Sequence, residues 1–124
     1  MSKLPLIFER TEGAILFVAM SGLFFALHGG LLTYILVLLA VDISIAGYLA
    51  GPKAGAIIYN LFHNLAAPII LLGIGILSVD TQFLSSWALI WIAHIGLDRA
   101  LGLGLKYPDG FGHTTLGQIG RKKT

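Results

Sequence analysis

Long uncharged stretches separated by short glycine-, proline- or charge-bearing interruptions set the organisation of this chain. Residues 13–41 contain no Asp, Glu, Lys or Arg. That run is too long for one membrane span and somewhat short for two, at about 17–25 residues each. Gly29 and Gly30 supply a break inside it, because paired glycines punctuate helices. The pattern therefore predicts a first helix over about 12–27 and a second over about 31–50, with Asp42 inside the second. Gly51 and Pro52 close that helix, since proline disfavours helical geometry in the residue before it. A further uncharged run predicts a third helix over about 55–78, kinked at Pro68. After a short Asp80, Thr81 loop, a fourth is predicted over about 83–103. Tyr107, Pro108, Asp109 and Gly110 fit a type I turn, and residues 104–124 read as a loose or interfacial tail. The expected fold is one domain: an all-α polytopic membrane protein, a bundle of four transmembrane helices.

Charge adds a direction to this count. Four spans put both termini and the Gly51 loop on one side, and all eight Lys and Arg residues fall there. The opposite loops carry only Asp80. Cytoplasmic loops are enriched in Lys and Arg, so both termini are expected in the cytoplasm. Three spans would divide the basic residues between the two sides.

Composition agrees with a membrane setting. The chain is 56% hydrophobic and 11% charged, against about 25% charged in a soluble domain. The basic residues are scattered through apolar segments, which argues for topology signals and against nucleic acid. The expected surroundings are the lipid bilayer, with a homo-oligomer possible. There is no cysteine, so disulfides and thiolate metal sites are excluded. The first apolar run follows Glu9, Arg10 and Glu12 and lacks a clear cleavage site, so it reads as a retained helix.

Depth then gathers the polar residues. At about 1.5 Å rise per residue, His63 lies about 12 Å along the third helix and Asp42 about 13 Å from the end of the second. His94 lies about 15 Å from the end of the fourth, with Asp98 one turn nearer the cytoplasm. Glu12 opens the first helix from the same side, and Tyr59, Asn60 and Asn64 surround His63. Trp87, Trp91, His94 and Asp98 share one helix face. Ionisable residues inside a membrane are costly and default to a functional reading.

Three uses of this cluster remain open. His63, His94 and Asp98, with Asp42 or Glu12, form a nitrogen/oxygen set suited to zinc or another divalent metal. Such a metal could activate water to hydrolyse a lipid or other amphipathic substrate. The same residues, with a helix broken at Pro68, would also suit transport or a proton relay. Alternatively, Asp98 pairs with Arg99 or Lys106 and the remaining polar groups hold helices together. The spacing of Gly47, Gly51 and Gly55 would let backbones approach. His28 and His113 read as solvated, and the glycine-rich stretch around Lys106 as a helix end and turn.

The segments GYLAGPKAGAIIYNLFHN, IWIAHIGLDRALGLGLKYPDGF and LGQIG resemble those of the small bacterial membrane proteins grouped as domain-of-unknown-function family 4260. The likeness covers nearly the whole chain. It implies four membrane helices with no established activity. It singles out Glu12, Asp42, Tyr59, Asn60, His63, His94, Asp98, Arg99, Lys106 and Tyr107. From these, Asp42, His63, His94 and Asp98 are expected to be catalytic or metal-binding. Glu12, Tyr59, Asn60, Arg99, Lys106 and Tyr107 are expected on the substrate side. Where the family pattern has Thr-His-Leu-Gly, this chain reads Thr114, Thr115, Leu116, Gly117, so a tail histidine is lost or replaced by His113.

Overall fold

Hydrophobic runs of this length become helices because a buried backbone must satisfy its own hydrogen bonds. The computed structural model describes residues 3–78 and 81–119. Helix α1 spans Leu4–Leu27 and α2 Leu31–Ala40, the latter running on as a 3-10 helix over Val41–Ala50. Then come α3 Pro52–His63, α4 Ala66–Leu77 and α5 Thr81–Ala100. A small hairpin, β1 His113–Thr114 and β2 Gly117–Gln118, follows. Paired as α2 with the 3-10 helix and α3 with α4, the segments make four helical rods, the all-α architecture expected from the pattern. Among the described residues, Leu4–Leu27, Leu31–Ala50 and Pro52–Leu77 are long and apolar enough to cross a membrane.

The fourth rod, α5, is the buried one. Ala88, Leu89, Ile90, Ile92, Ala93 and Ile95 are all within the core. Helix α1 lies along α5, and they cross where both lack a side chain. A Cβ on Gly13 would sit 2.7 Å from the Gly96 carbonyl oxygen, and one on Gly96 2.7 Å from that of Gly13. Beyond this crossing, Phe24, Val37, Leu89 and Ile90 form the apolar core. A 2.6 Å hydrogen bond between the Ser21 and Tyr34 hydroxyls lies on the same side.

Three details differ from the pattern-based expectation. Helix α1 starts at Leu4, with Pro5 in its first turn, a position proline favours. Glu9, Arg10 and Glu12 lie on its exposed surface and do not interrupt it. The kink expected at Pro68 is a full break four residues earlier, at Asn64, whose backbone is extended. Proline clashes with the carbonyl four residues before it, and that residue is Asn64. The Asn64 side-chain amide donates to the Asn60 and Leu61 carbonyls, while its oxygen accepts from the Ala67 amide. One side chain thus closes α3 and opens α4; Asn64 is a cap rather than a neighbour of the histidine.

The tail is built, not loose. Leu103 N–H donates back to the Asp98 carbonyl at 2.7 Å, ending α5. Lys106 then pairs with Thr114 across a β-bridge beside the hairpin. Asn60 locks this layer onto α3: its oxygen accepts from Lys106 N–H at 2.7 Å and its amide donates to the Lys106 carbonyl at 2.9 Å. Asp80, Arg121, Lys122 and Lys123, used above for topology, lie outside the described residues.

The 3-10 helix is unusual for its length, since such runs seldom exceed three or four residues. Ser44 donates its hydroxyl to the Val41 carbonyl three residues back. Val41 and Ser44 are buried, and Gly47 packs against Ile58 of α3. A three-residue period therefore keeps one face on α3. It also aligns Asp42 with Tyr48, and Tyr48 in turn packs on Gly55.

Candidate metal centre

Three rods bring four ionisable side chains to one point. Asp42 comes from the start of the 3-10 helix, His63 from the last turn of α3, and His94 and Asp98 from successive turns of α5. His63 Nε2 is 3.3 Å from Asp42 Oδ1 and 3.3 Å from Asp98 Oδ2. His94 Nε2 is 3.1 Å and 3.2 Å from the same two oxygens. One atom from each residue lies within 4.8 Å of all the others. A tetrahedral ion with bonds of about 2.0–2.1 Å separates its ligands by about 3.3 Å. The four histidine–carboxylate edges have this length.

The imidazoles are arranged to present nitrogen lone pairs inward. His63 Nδ1 lies 2.9 Å from the Tyr59 carbonyl. With the proton on Nδ1 donated there, Nε2 is left as an acceptor facing the carboxylates. His94 Nδ1 is buried without a hydrogen bond of good geometry; the Leu38 backbone is the group it meets. Both histidines are 4% exposed. The Asp98 side chain is 13% exposed, while that of Asp42 is 44% exposed. Three members are held inside and one stands at an opening.

Around the quartet is an aromatic layer. The Tyr59 ring stacks on His63 at 3.7 Å and 5°, and its hydroxyl points to Asp98 Oδ2 at 3.5 Å. Lys106 is 5% exposed, with Nζ 4.8 Å from the Tyr59 ring centre and 3.9 Å from that of Phe111. Burial pushes the Lys106 ammonium below the ordinary lysine value, and the charges of Asp98 and Asp42 pull it back. Trp91, one turn from His94, donates its indole N–H to the Phe62 carbonyl at 2.6 Å and is stacked on that ring.

The remaining candidates fall elsewhere. Glu12 and Arg99 line a separate cleft of about 320 Å³ with Glu9 and Leu105, on the α1 side of α5. Among the described residues Asp98 is paired with histidines, with no bridge to Arg99 or Lys106. Adjacent residues on a helix point about 100° apart, which separates Arg99 from the quartet. Tyr107 stacks on His113 at 4.1 Å in the hairpin layer, and His113 is bound to Asp109 at 2.9 Å. His28 reaches Ser85 at 3.4 Å at the far end of the molecule. Two neighbours of the site, Tyr48 and Phe111, carry no signal in the sequence. Phe111 meets Tyr48 edge-to-face at 5.3 Å, a contact made by the folded tail.

Fold and site together define a helical protein with membrane-grade helices and a His/Asp group that could hold a metal ion. The chain belongs to the family described as Domain of unknown function (DUF4260), whose model matches residues 7–119. No curated protein and no solved structure matches it.

Proposed function

We propose that this protein is a metal-dependent hydrolase of the inner membrane, acting on an amphipathic ester drawn from the lipid phase. The observation that carries the reading is the convergence of two Nε2 atoms and two carboxylate oxygens at 3.1–3.3 Å. Asp98, whose side chain is only 13% exposed, carries a charge that is stable there only when compensated, and an ion held between the two histidines and the carboxylates would compensate it. The set contains nitrogen and oxygen donors and no sulfur, which suits zinc.

The burial pattern assigns the roles. His63, His94 and Asp98 are the fixed ligands, and Asp42, at the opening, is the general base. Catalytic zinc sites keep three protein ligands and an open fourth position. An ion held by His63, His94 and Asp98 would supply Lewis-acid activation of a water and of the substrate carbonyl or phosphoryl oxygen. Asp42 takes the proton from the attacking water as the new bond to carbon or phosphorus forms. It returns that proton to the leaving oxygen as the ester bond breaks. Tyr59, stacked on His63, keeps the imidazole in place. With both termini cytoplasmic, the site lies in the inner half of the bilayer; a C-terminal reporter read outside the cell would overturn that orientation.

Metal analysis of the purified protein tests the assignment. One equivalent of zinc is expected, lost in His63→Ala and His94→Ala. Asp42→Asn should keep the metal and lose hydrolysis of a fluorogenic acyl ester. Absence of a stoichiometric metal in the unaltered protein sinks the proposal. Iron in place of zinc would keep the ligand set and replace hydrolysis by oxygen chemistry. A proton flux in proteoliposomes that needs Asp42 but no metal would turn the quartet into a relay.

A further inference from the structure

On the tail side of the quartet, donors outnumber acceptors. The Tyr48 hydroxyl is buried and has no hydrogen-bond partner among the described residues. The Tyr59 hydroxyl has only the 3.5 Å contact to Asp98. Lys106 is held over Tyr59 and Phe111 and makes no ion pair within 4.0 Å among the described residues. These groups are neighbours: Tyr48, Tyr59 and Lys106 all meet the Phe111 ring. Leaving a buried donor unsatisfied costs about 1–3 kcal/mol, and Asn60 fixes the Lys106 backbone so that the ammonium stays there.

On the opposite side of the quartet the lining is apolar. Val41, Phe62 and Trp91 border a pocket of about 170 Å³. Through the shared residues Val37, Ala40 and Trp87 it opens into a cleft of about 910 Å³ of mixed lining, where His28, Thr33, Gln82 and Ser86 stand beside Phe24 and Phe83. Along α5 the order is therefore apolar pocket, quartet, donor box.

We infer that Tyr48, Tyr59 and Lys106 form a cradle for the phosphate of an anionic amphiphile whose hydrocarbon chain enters the apolar pocket lined by Val41, Phe62 and Trp91. Hydroxyl and ammonium donors arriving from three elements suit a tetrahedral oxyanion, and they complement the charge that the aromatic rings alone leave uncompensated. The assignment deepens the metal-dependent reading and rests on it: the ester to be cleaved sits at the quartet, between phosphate and chain. It makes the substrate a phosphate-bearing lipid, and Lys106 a positioning and binding residue rather than a metal ligand.

The test uses the full-length zinc-loaded protein in neutral maltoside micelles, titrated with decyl phosphate and separately with inorganic phosphate. Decyl phosphate should bind at least about 10-fold more tightly than inorganic phosphate. Lys106→Met should weaken decyl phosphate by about 10-fold or more, the value of one charge-assisted hydrogen bond, with zinc content unchanged. Lys106→Arg should retain most of the affinity. Tyr48→Phe, which removes one oxygen atom, should weaken binding several-fold and carries the test if Lys106→Met does not fold. Unchanged affinity in Lys106→Met and Tyr48→Phe at full zinc content overturns the cradle. Equal affinity for the two phosphates overturns the lipid assignment. Absence of zinc from the unaltered protein is a failure of the metal reading, and is measured separately.

Discussion

The two ends of helix α5 show opposite ways of holding a membrane-grade bundle together. Toward Thr81 the helix meets Phe24 and Val37 through Leu89 and Ile90, with side chains packed and side-chain hydrogen bonds such as Ser21–Tyr34 and His28–Ser85 beside them. Toward Ala100 it meets α3 and the 3-10 helix through His94 and Asp98, whose contacts with His63 and Asp42 are polar. The first end is mostly apolar, with Leu31, Leu32, Leu36 and Phe83 on its outer surface. In lipid such an end gains from tight packing, because hydrocarbon solvates an exposed leucine as well as a neighbour does. The second end gathers charge that hydrocarbon cannot solvate, and is stable only with complete compensation. One end is therefore a clamp and the other a site.

The largest effect expected from breaking this division is at the clamp. Phe24→Ala should cost about 3–5 kcal/mol in a reversible unfolding assay while the zinc affinity of the folded fraction stays unchanged. Next comes the site. Removing zinc with a chelator should lower stability by about 3 kcal/mol when the ion is near 100 times its Kd. That decrement should vanish in His94→Ala. A stability change that persists in the variant would show the chelator acting elsewhere. Gly13→Ala probes the crossing between the two ends. Its Cβ meets the backbone of Gly96 and Ala100, so about 1–3 kcal/mol of overpacking is expected, read as a lower melting temperature. The smallest effect is Asn60→Leu, which removes two hydrogen bonds to Lys106 at about 1 kcal/mol each. Its signature is local: faster hydrogen exchange at the Lys106 amide with the α5 amides protected as before.

Much of the site was legible in linear form. His63 and His94 lie at matching depth on their helices, Asp42 joins them, and Asp98 follows His94 by one turn. The hydrophobic pattern carries this because, in a chain with so few charges, each ionisable residue in a long apolar run is conspicuous. Glu12 passed the same depth criterion and Arg99 entered through the family resemblance; both fall outside the quartet, since neither signal gives the direction in which a side chain points. The break at Asn64 was misplaced to Pro68 because proline acts on the carbonyl four residues earlier.

Tyr48 shows the limit most clearly. In an α-helix, with about 3.6 residues per turn, six residues of separation would place it well away from Asp42. In the 3-10 helix that forms, with about 3.0 residues per turn, the two fall on one side. Nothing in the local sequence demands ten residues of that tighter helix. Gly47 and Gly55 permit it, and packing against Ile58 and Tyr48 selects it. The amino-acid sequence by itself determined the helical rods, their apolar character and the depth of each ionisable group, because these depend on spacing along one chain. Only the tertiary structure decided which groups face each other, through two glycine crossings and the Asn60 lock, because rotation about a helix axis is set by what packs against it.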